Sequence, residues 1–154
     1  MDDIYQDFWE AFLQETGTPD TTVLSSYTYF GADEEASVSV LEQLLRGDKT
    51  AVGHCVSAYM AMRQRMPQIG DYVMVTDFYG NPCCILKTLD VTIAPLKEIP
   101  EDLRRAEYPE LDSDGWMDLK QREFGDLARR FGFHYHPELP LLMETVELVY
   151  PAKD

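Results

Sequence analysis

The chain has 154 residues, 45% of them hydrophobic and 12% aromatic, which suits one domain with a real core and excludes a disordered chain. Its formal net charge of -15 opposes the basic footprint that a non-specific nucleic-acid binder needs to displace counterions. Apolar runs are short, as in Leu139-Pro140-Leu141-Leu142-Met143, and none approaches the roughly 20 residues that span a bilayer, so no membrane partner is expected.

The opening Met1-Asp2-Asp3 has neither the basic nor the apolar region of a secretory signal, and a cytoplasmic location is expected. Residues 3–15 read as an amphipathic helix, with Ile4, Phe8 and Phe12 four apart and Trp9 and Leu13 widening the stripe. Gly17-Thr18-Pro19-Asp20 breaks it, and Tyr27, Tyr29 and Phe30 form an extended aromatic run ended by Gly31. Asp33 is placed to cap a second helix, Glu34 and Glu35 suit its positive end, and Val38, Leu41, Leu44 and Leu45 give its apolar stripe. Arg46 stands in its last turn, and Gly47 is placed to be the left-handed residue that ends it.

Lys49 to Val56 reads as extended, and residues 57–66 fit neither period. Pro67 to Asp71 reads as a turn, and Tyr72–Thr76 and Cys83–Ile93 as strands joined through Tyr79-Gly80-Asn81-Pro82. Ile85, Leu89, Val91 and Ile93 share odd positions, predicting one buried face that Lys87 interrupts. Pro100–Arg105 looks like a short helix opened by proline. Residues 113–131 form a longer one carrying Trp116, Leu119, Phe124, Leu127 and Phe131, and Met143–Tyr150 is a closing strand. Helices interspersed with several strands indicate an α+β domain. The odd count of three cysteines, Cys55, Cys83 and Cys84, argues for buried thiols in a reducing compartment rather than a disulfide framework.

Charge is unevenly spread. Residues 1–45 hold ten carboxylates and no Lys or Arg, whereas Arg46, Lys49, Arg63 and Arg65 then face only Asp48. A local basic segment in an acidic chain suits a small anionic or polar ligand, or a short stretch of RNA, better than a long duplex. A lysine fixed just after a helix end can hold an oxyanion or phosphate as a point charge, and if desolvated it can act as a base. His54-Cys55 offers a base and a thiol, but adjacent strand residues point apart. His134-Tyr135-His136 places two imidazoles on one face if extended, with no third ligand to complete a metal site, and neither metal nor cofactor is expected. Tyr27, Tyr29 and Tyr59 are candidates to stack on a base.

Three features in order resemble the ASCH family: Phe8-Trp9 and Phe12-Leu13 followed by Phe30-Gly31; Leu44-Leu45-Arg46-Gly47-Asp48-Lys49-Thr50-Ala51; and Ile69-Gly70-Asp71 with Asp77-Phe78-Tyr79-Gly80-Asn81-Pro82. With Glu147-Leu148-Val149-Tyr150-Pro151, the chain is similar to the longer bacterial branch that has an extra N-terminal helix. The resemblance implies a PUA-like β-barrel with flanking helices in a single domain over residues 1–154, residues 1–25 being a helical extension. It implies an RNA-related role, or in some members removal of the acetyl group from acetylated cytidine, or in at least one ribonuclease action. Binding of RNA or a nucleotide- or nucleoside-like ligand is the leading expectation, with Arg46, Gly47, Lys49, His54 and Tyr59 as ligand-binding residues. Cytidine deacetylation is the alternative, with Lys49, Thr50 and Glu107 as catalytic residues and Glu110 competing with Glu107. The Thr of the family's Gly-x-Lys-Thr-x-Thr pattern falls on Val52, which has no hydroxyl to act as a nucleophile. A non-catalytic interaction domain using the acidic face of residues 1–45 is a further expectation, and an acidic surface rich in aromatics allows a homodimer.

Overall fold

The computed structural model describes residues 2–152. In chain order its elements are α1 (Asp3–Thr16), β1 (Ser26–Thr28), α2 (Glu34–Arg46), β2 (Ala51–Cys55), α3 (Val56–Met62), β3 (Tyr72–Thr76) and β4 (Pro82–Pro95). A 3₁₀ turn at Leu96–Glu98, α4 (Glu101–Glu107), α5 (Ser113–Phe131) and β5 (Pro140–Tyr150) complete it. The strands order as β1-β3-β4-β5-β2 in a mixed sheet. β1 runs parallel to β3 with Tyr27 opposite Met74, while β3 with β4 and β2 with β5 are antiparallel. The chain divides into two compact units: one takes the segment up to Asp48, Ile69–Leu89 and the end from Val146; the other takes Lys49–Gln68 and Asp90–Thr145.

The first unit packs α1 on its strands through Trp9, Phe12, Met74 and Ile85, with Phe8, Tyr72 and Tyr150 around them. α2 is bracketed as its sequence requires. The Asp33 carboxylate accepts the Ala36 N–H at 2.8 Å. Gly47, at φ 78°, donates to the Leu44 carbonyl at 3.1 Å and Asp48 to that of Gln43 at 2.9 Å, which satisfies carbonyls the helix end leaves open. The buried stripe is Ser37, Val40, Leu41 and Leu44, so Val38 is exposed and Leu45 only half-buried, against expectation. Ile4 is exposed as well. The odd-position face of β4 fails too. Cys84, Ile85 and Leu86 are all buried because both faces of the sheet are covered there, whereas Leu89 and Ile93 lie in the open.

The second unit closes around Ala51, Cys55, Leu96, Trp116, Phe124, Leu141 and Met143. The segment without a clear period folds as α3, which starts at Val56 and ends on Arg63 in the left-handed region at φ 55°. His134-Tyr135-His136 lies in a loop rather than a strand, so the alternation that would align the two imidazoles does not operate. α5 opens on Asp112, whose carboxylate accepts the Gly115 N–H at 2.7 Å. Its buried face is Trp116, Lys120, Phe124 and Ala128, one residue per turn.

Candidate functional site

The chain between α2 and β2 is short, and the Thr50 N–H donates to the Ala106 carbonyl at 2.9 Å, tying this link to α4. Lys49 is thereby carried inward and is only 4% exposed. Its ammonium donates to the Glu107 main-chain carbonyl at 2.5 Å and sits 4.0 Å from the centre of the Tyr108 ring. Burial pulls its pKa down from 10.5 to about 8; Glu107 opposes the fall and Lys120 adds to it.

The Glu107 side chain is the hub of a buried cluster. Its Oε1 accepts the Trp116 indole N–H at 2.9 Å, and its Oε2 accepts the Gly53 N–H at 2.6 Å and the Lys120 ammonium at 2.8 Å. Burial opposes ionisation of Glu107, but Lys120 and Lys49 outweigh it and hold the carboxyl below its ordinary range. Burial likewise opposes the charge on Lys120, and Glu107 and Glu123 overcome it, so Lys120 stays cationic. Gly53 makes the close approach possible. A Cβ there would meet Glu107 Oε2 at 2.8 Å and Lys120 Nζ at 3.2 Å. The carboxylate is therefore a fixed ion with both oxygens engaged; it binds the Lys120 ammonium, which Glu123 also reaches at 3.2 Å, and its charge acts on Lys49 without a direct bond.

A second polar group stands on the other face of β2. Register pairs Val52 with Glu144 and His54 with Leu142, whereas Ala51, Gly53 and Cys55 face the second-unit core. His54 Nε2 bonds Glu144 Oε2, and its Nδ1 lies 3.0 Å from the Tyr59 hydroxyl. With the ring hydrogen on Nε2, the Tyr59 hydroxyl donates a hydrogen bond to Nδ1. Burial, then the Glu144 charge, raises the Tyr59 pKa, which keeps the phenol protonated.

Of the residues singled out in the sequence, Lys49 and Glu107 come together, and His54 joins Tyr59 on the opposite face of β2. Thr50 is exposed. Arg46 is exposed and pairs with Asp48 at 3.1 Å. Glu110 is exposed, and its charge raises the Lys49 pKa only modestly beside burial and Glu107. Glu107 is not a solvated partner of the neighbouring arginines: Arg104 binds the Ile99 and Lys97 carbonyls and Ser113, and Arg105 binds Glu101. Burial raises the Cys55 thiol pKa and makes it a poor nucleophile. Among the described residues no group of three or more His, Cys, Asp or Glu is arranged to hold a metal ion, and no helix is long and apolar enough to cross a membrane. Sequence reasoning missed Lys120, Gly53, Tyr108 and the Trp116 indole. The available signal was the four-residue spacing of Trp116, Lys120, Phe124 and Ala128, which sets a lysine in an apolar stripe.

No curated protein matches the chain. The crystal structure of an ASCH domain from Lactobacillus crispatus is similar at 25% identity and a TM-score of 0.87, covering 98% of this chain and 97% of that one. The crystal structure of a protein from Enterococcus faecalis is similar at 23% identity and a TM-score of 0.84, covering 94% and 89%. The α+β arrangement is thus the PUA-like fold that the sequence resemblance implied. The model of the ASCH domain matches residues 26–150, from β1 to the end of β5, and the chain belongs to the ASCH domain family.

Proposed function

We propose that the second unit binds a nucleotide- or nucleoside-like ligand, or a short stretch of single-stranded RNA, through Lys49. The observation that carries this reading is the buried Lys49 ammonium: the Glu107 side-chain oxygens are taken by Gly53, Trp116 and Lys120, and Glu123 also pairs with Lys120, so among the described residues no carboxylate is in hydrogen-bond contact with Lys49. Among the described residues Lys49 makes one hydrogen bond, to the Glu107 carbonyl, and an ammonium has three donors. A carbonyl or phosphate oxygen of a ligand answers both the charge and the remaining donors. Hydrogen bonds to charged groups contribute about 1.5–3 kcal/mol, so Lys49→Ala weakens binding by about 10-fold or more. Titrating the folded variant with cytidine, cytidine monophosphate and a short oligouridylate tests this. Affinities equal to those of the unmodified protein would sink it.

A second reading, deacetylation of acetylated cytidine, is favoured by one observation: Lys49 has its pKa lowered to about 8 and abuts Glu107. Neutral Lys49 would take a proton from water attacking the acetyl carbonyl, and cytidine would leave with that proton. The Glu107 carboxylate is fully engaged with Gly53, Trp116 and Lys120, so in this scheme Glu107 holds Lys49 in place through its main-chain carbonyl. Release of cytidine from acetylated cytidine at high protein concentration is the expected result, and its absence removes this reading for that substrate. Val52→Thr tests whether a hydroxyl at that position adds activity.

A further inference from the structure

The first unit carries an aromatic corner that the Lys49 site does not use. Tyr29 and Phe78 meet edge to face with centroids 5.4 Å apart, and Phe78 and Tyr79 do so at 5.6 Å with planes at 90°. These rings belong to the β1 end and the β3–β4 turn, and all three are exposed, Tyr79 to 70%. The corner is rigid. Asp77 accepts the Tyr79 and Asn81 N–H groups at 2.9 Å each, and the Tyr5 hydroxyl donates to the Gly80 carbonyl at 2.7 Å. Tyr5 in turn lies 4.9 Å from Tyr27 on β1, itself exposed.

The charge beside these rings has one sign. The Tyr79 hydroxyl donates to Glu34 at 2.7 Å, and hydrogen bonds within the turn hold Asp77 below its ordinary pKa and ionised. Residues 1–45 and 66–86, which supply every one of these groups, contain no Lys or Arg. Exposed aromatic rings beside carboxylates attract cations, guanidinium groups above all. The same charge repels a nucleic-acid backbone. β1 stands first in the sheet order, so among the described residues one side of its backbone has no strand partner and can accept an extended segment.

We propose that this corner is a docking site for an extended, arginine-bearing segment of a partner protein. The segment lies along the β1 edge, and a guanidinium group sits on the Tyr29, Phe78 and Tyr79 rings beside Glu34. The site is independent of the Lys49 reading and stands whether or not that reading does.

Fluorescence anisotropy of a short fluorescein-labelled peptide of alternating arginine and valine tests the assignment at physiological ionic strength. Saturable binding is expected. Replacing arginine by citrulline, which keeps size and removes charge, should weaken it by about 10-fold or more. The Tyr29→Ser, Phe78→Ser double variant, which changes no charge, should weaken it to the same degree. The citrulline comparison uses the unmodified protein and so stands even if the double variant fails to fold. Equal binding of the citrulline peptide, or undiminished binding by a folded double variant, would overturn the proposal in favour of no site or of diffuse charge attraction. Displacement of the peptide by tetramethylammonium at comparable concentration, or by oligouridylate, would overturn it in favour of a small-cation or a nucleic-acid site.

Discussion

Substituting Glu107→Gln keeps the shape of the side chain and removes its charge. The Lys120 ammonium, 2% exposed, then stays in the core with only the rim-exposed Glu123 as an anionic partner. Breaking a buried ion pair from one side costs about 3–5 kcal/mol, because the surviving charge is left uncompensated. For a chain of this size each kcal/mol lowers the melting temperature by about 2–4 °C, so a fall of roughly 6–20 °C is expected. The double variant Glu107→Leu, Lys120→Met removes the ion pair from both sides, so no Lys120 charge is left without Glu107. It should recover much of the loss, with a coupling energy of about 2 kcal/mol or more. Urea denaturation of the unmodified protein, Glu107→Leu, Lys120→Met and the double variant measures the coupling directly. A Glu107→Gln loss below about 1 kcal/mol, or strictly additive substitutions, would refute the claim that Glu107 works as an ion at the centre of a buried cluster.

Lys49 has its folded pKa lowered to about 8, so between about pH 8 and 10.5 the unfolded chain holds a proton that the folded one has released, and stability rises with pH through that window. Relative to Lys49→Met, the unmodified protein should gain about 3 kcal/mol between pH 7 and pH 11, and parallel stability curves would count against the shift. Gly53→Ala forces a methyl group against Glu107 Oε2 and should cost about 1–3 kcal/mol, read as a lower urea midpoint. Asp33→Ala removes the α2 cap and should lower stability by about 1 kcal/mol, checked by thermal unfolding.

Much of the fold is legible where end signals and period agree. α2 is announced by Asp33 and Gly47, and α5 by its apolar spacing over residues 113–131, and both occur as expected. Burial faces were harder to read. In α2 the buried stripe includes Ser37, a small polar residue, and leaves out Val38, because the packing of Leu41 and Leu44 sets the rotation of the helix rather than the count of apolar residues. In β4 alternation has no meaning where both faces are covered, as at Cys84 to Leu86. The candidate site was half visible. Gly47 and Lys49 follow from the helix ending, and Glu107 from the family pattern. Lys120 sits in Asp118-Leu119-Lys120-Gln121-Arg122-Glu123, a stretch whose composition reads as a solvated helix face. Its partner lies 13 positions away on another helix, a separation no local pattern encodes.

The bond from Gly53 to Glu107 also makes one main-chain amide a reporter on the ion cluster. Its hydrogen is held by a buried carboxylate, so exchange with deuterated solvent at that amide requires the end of α4 to part from β2 and the Glu107 carboxylate to leave Gly53. The lifetime of that single proton measures how often the cluster opens. A ligand seated on Lys49 would lengthen it without touching the amide itself.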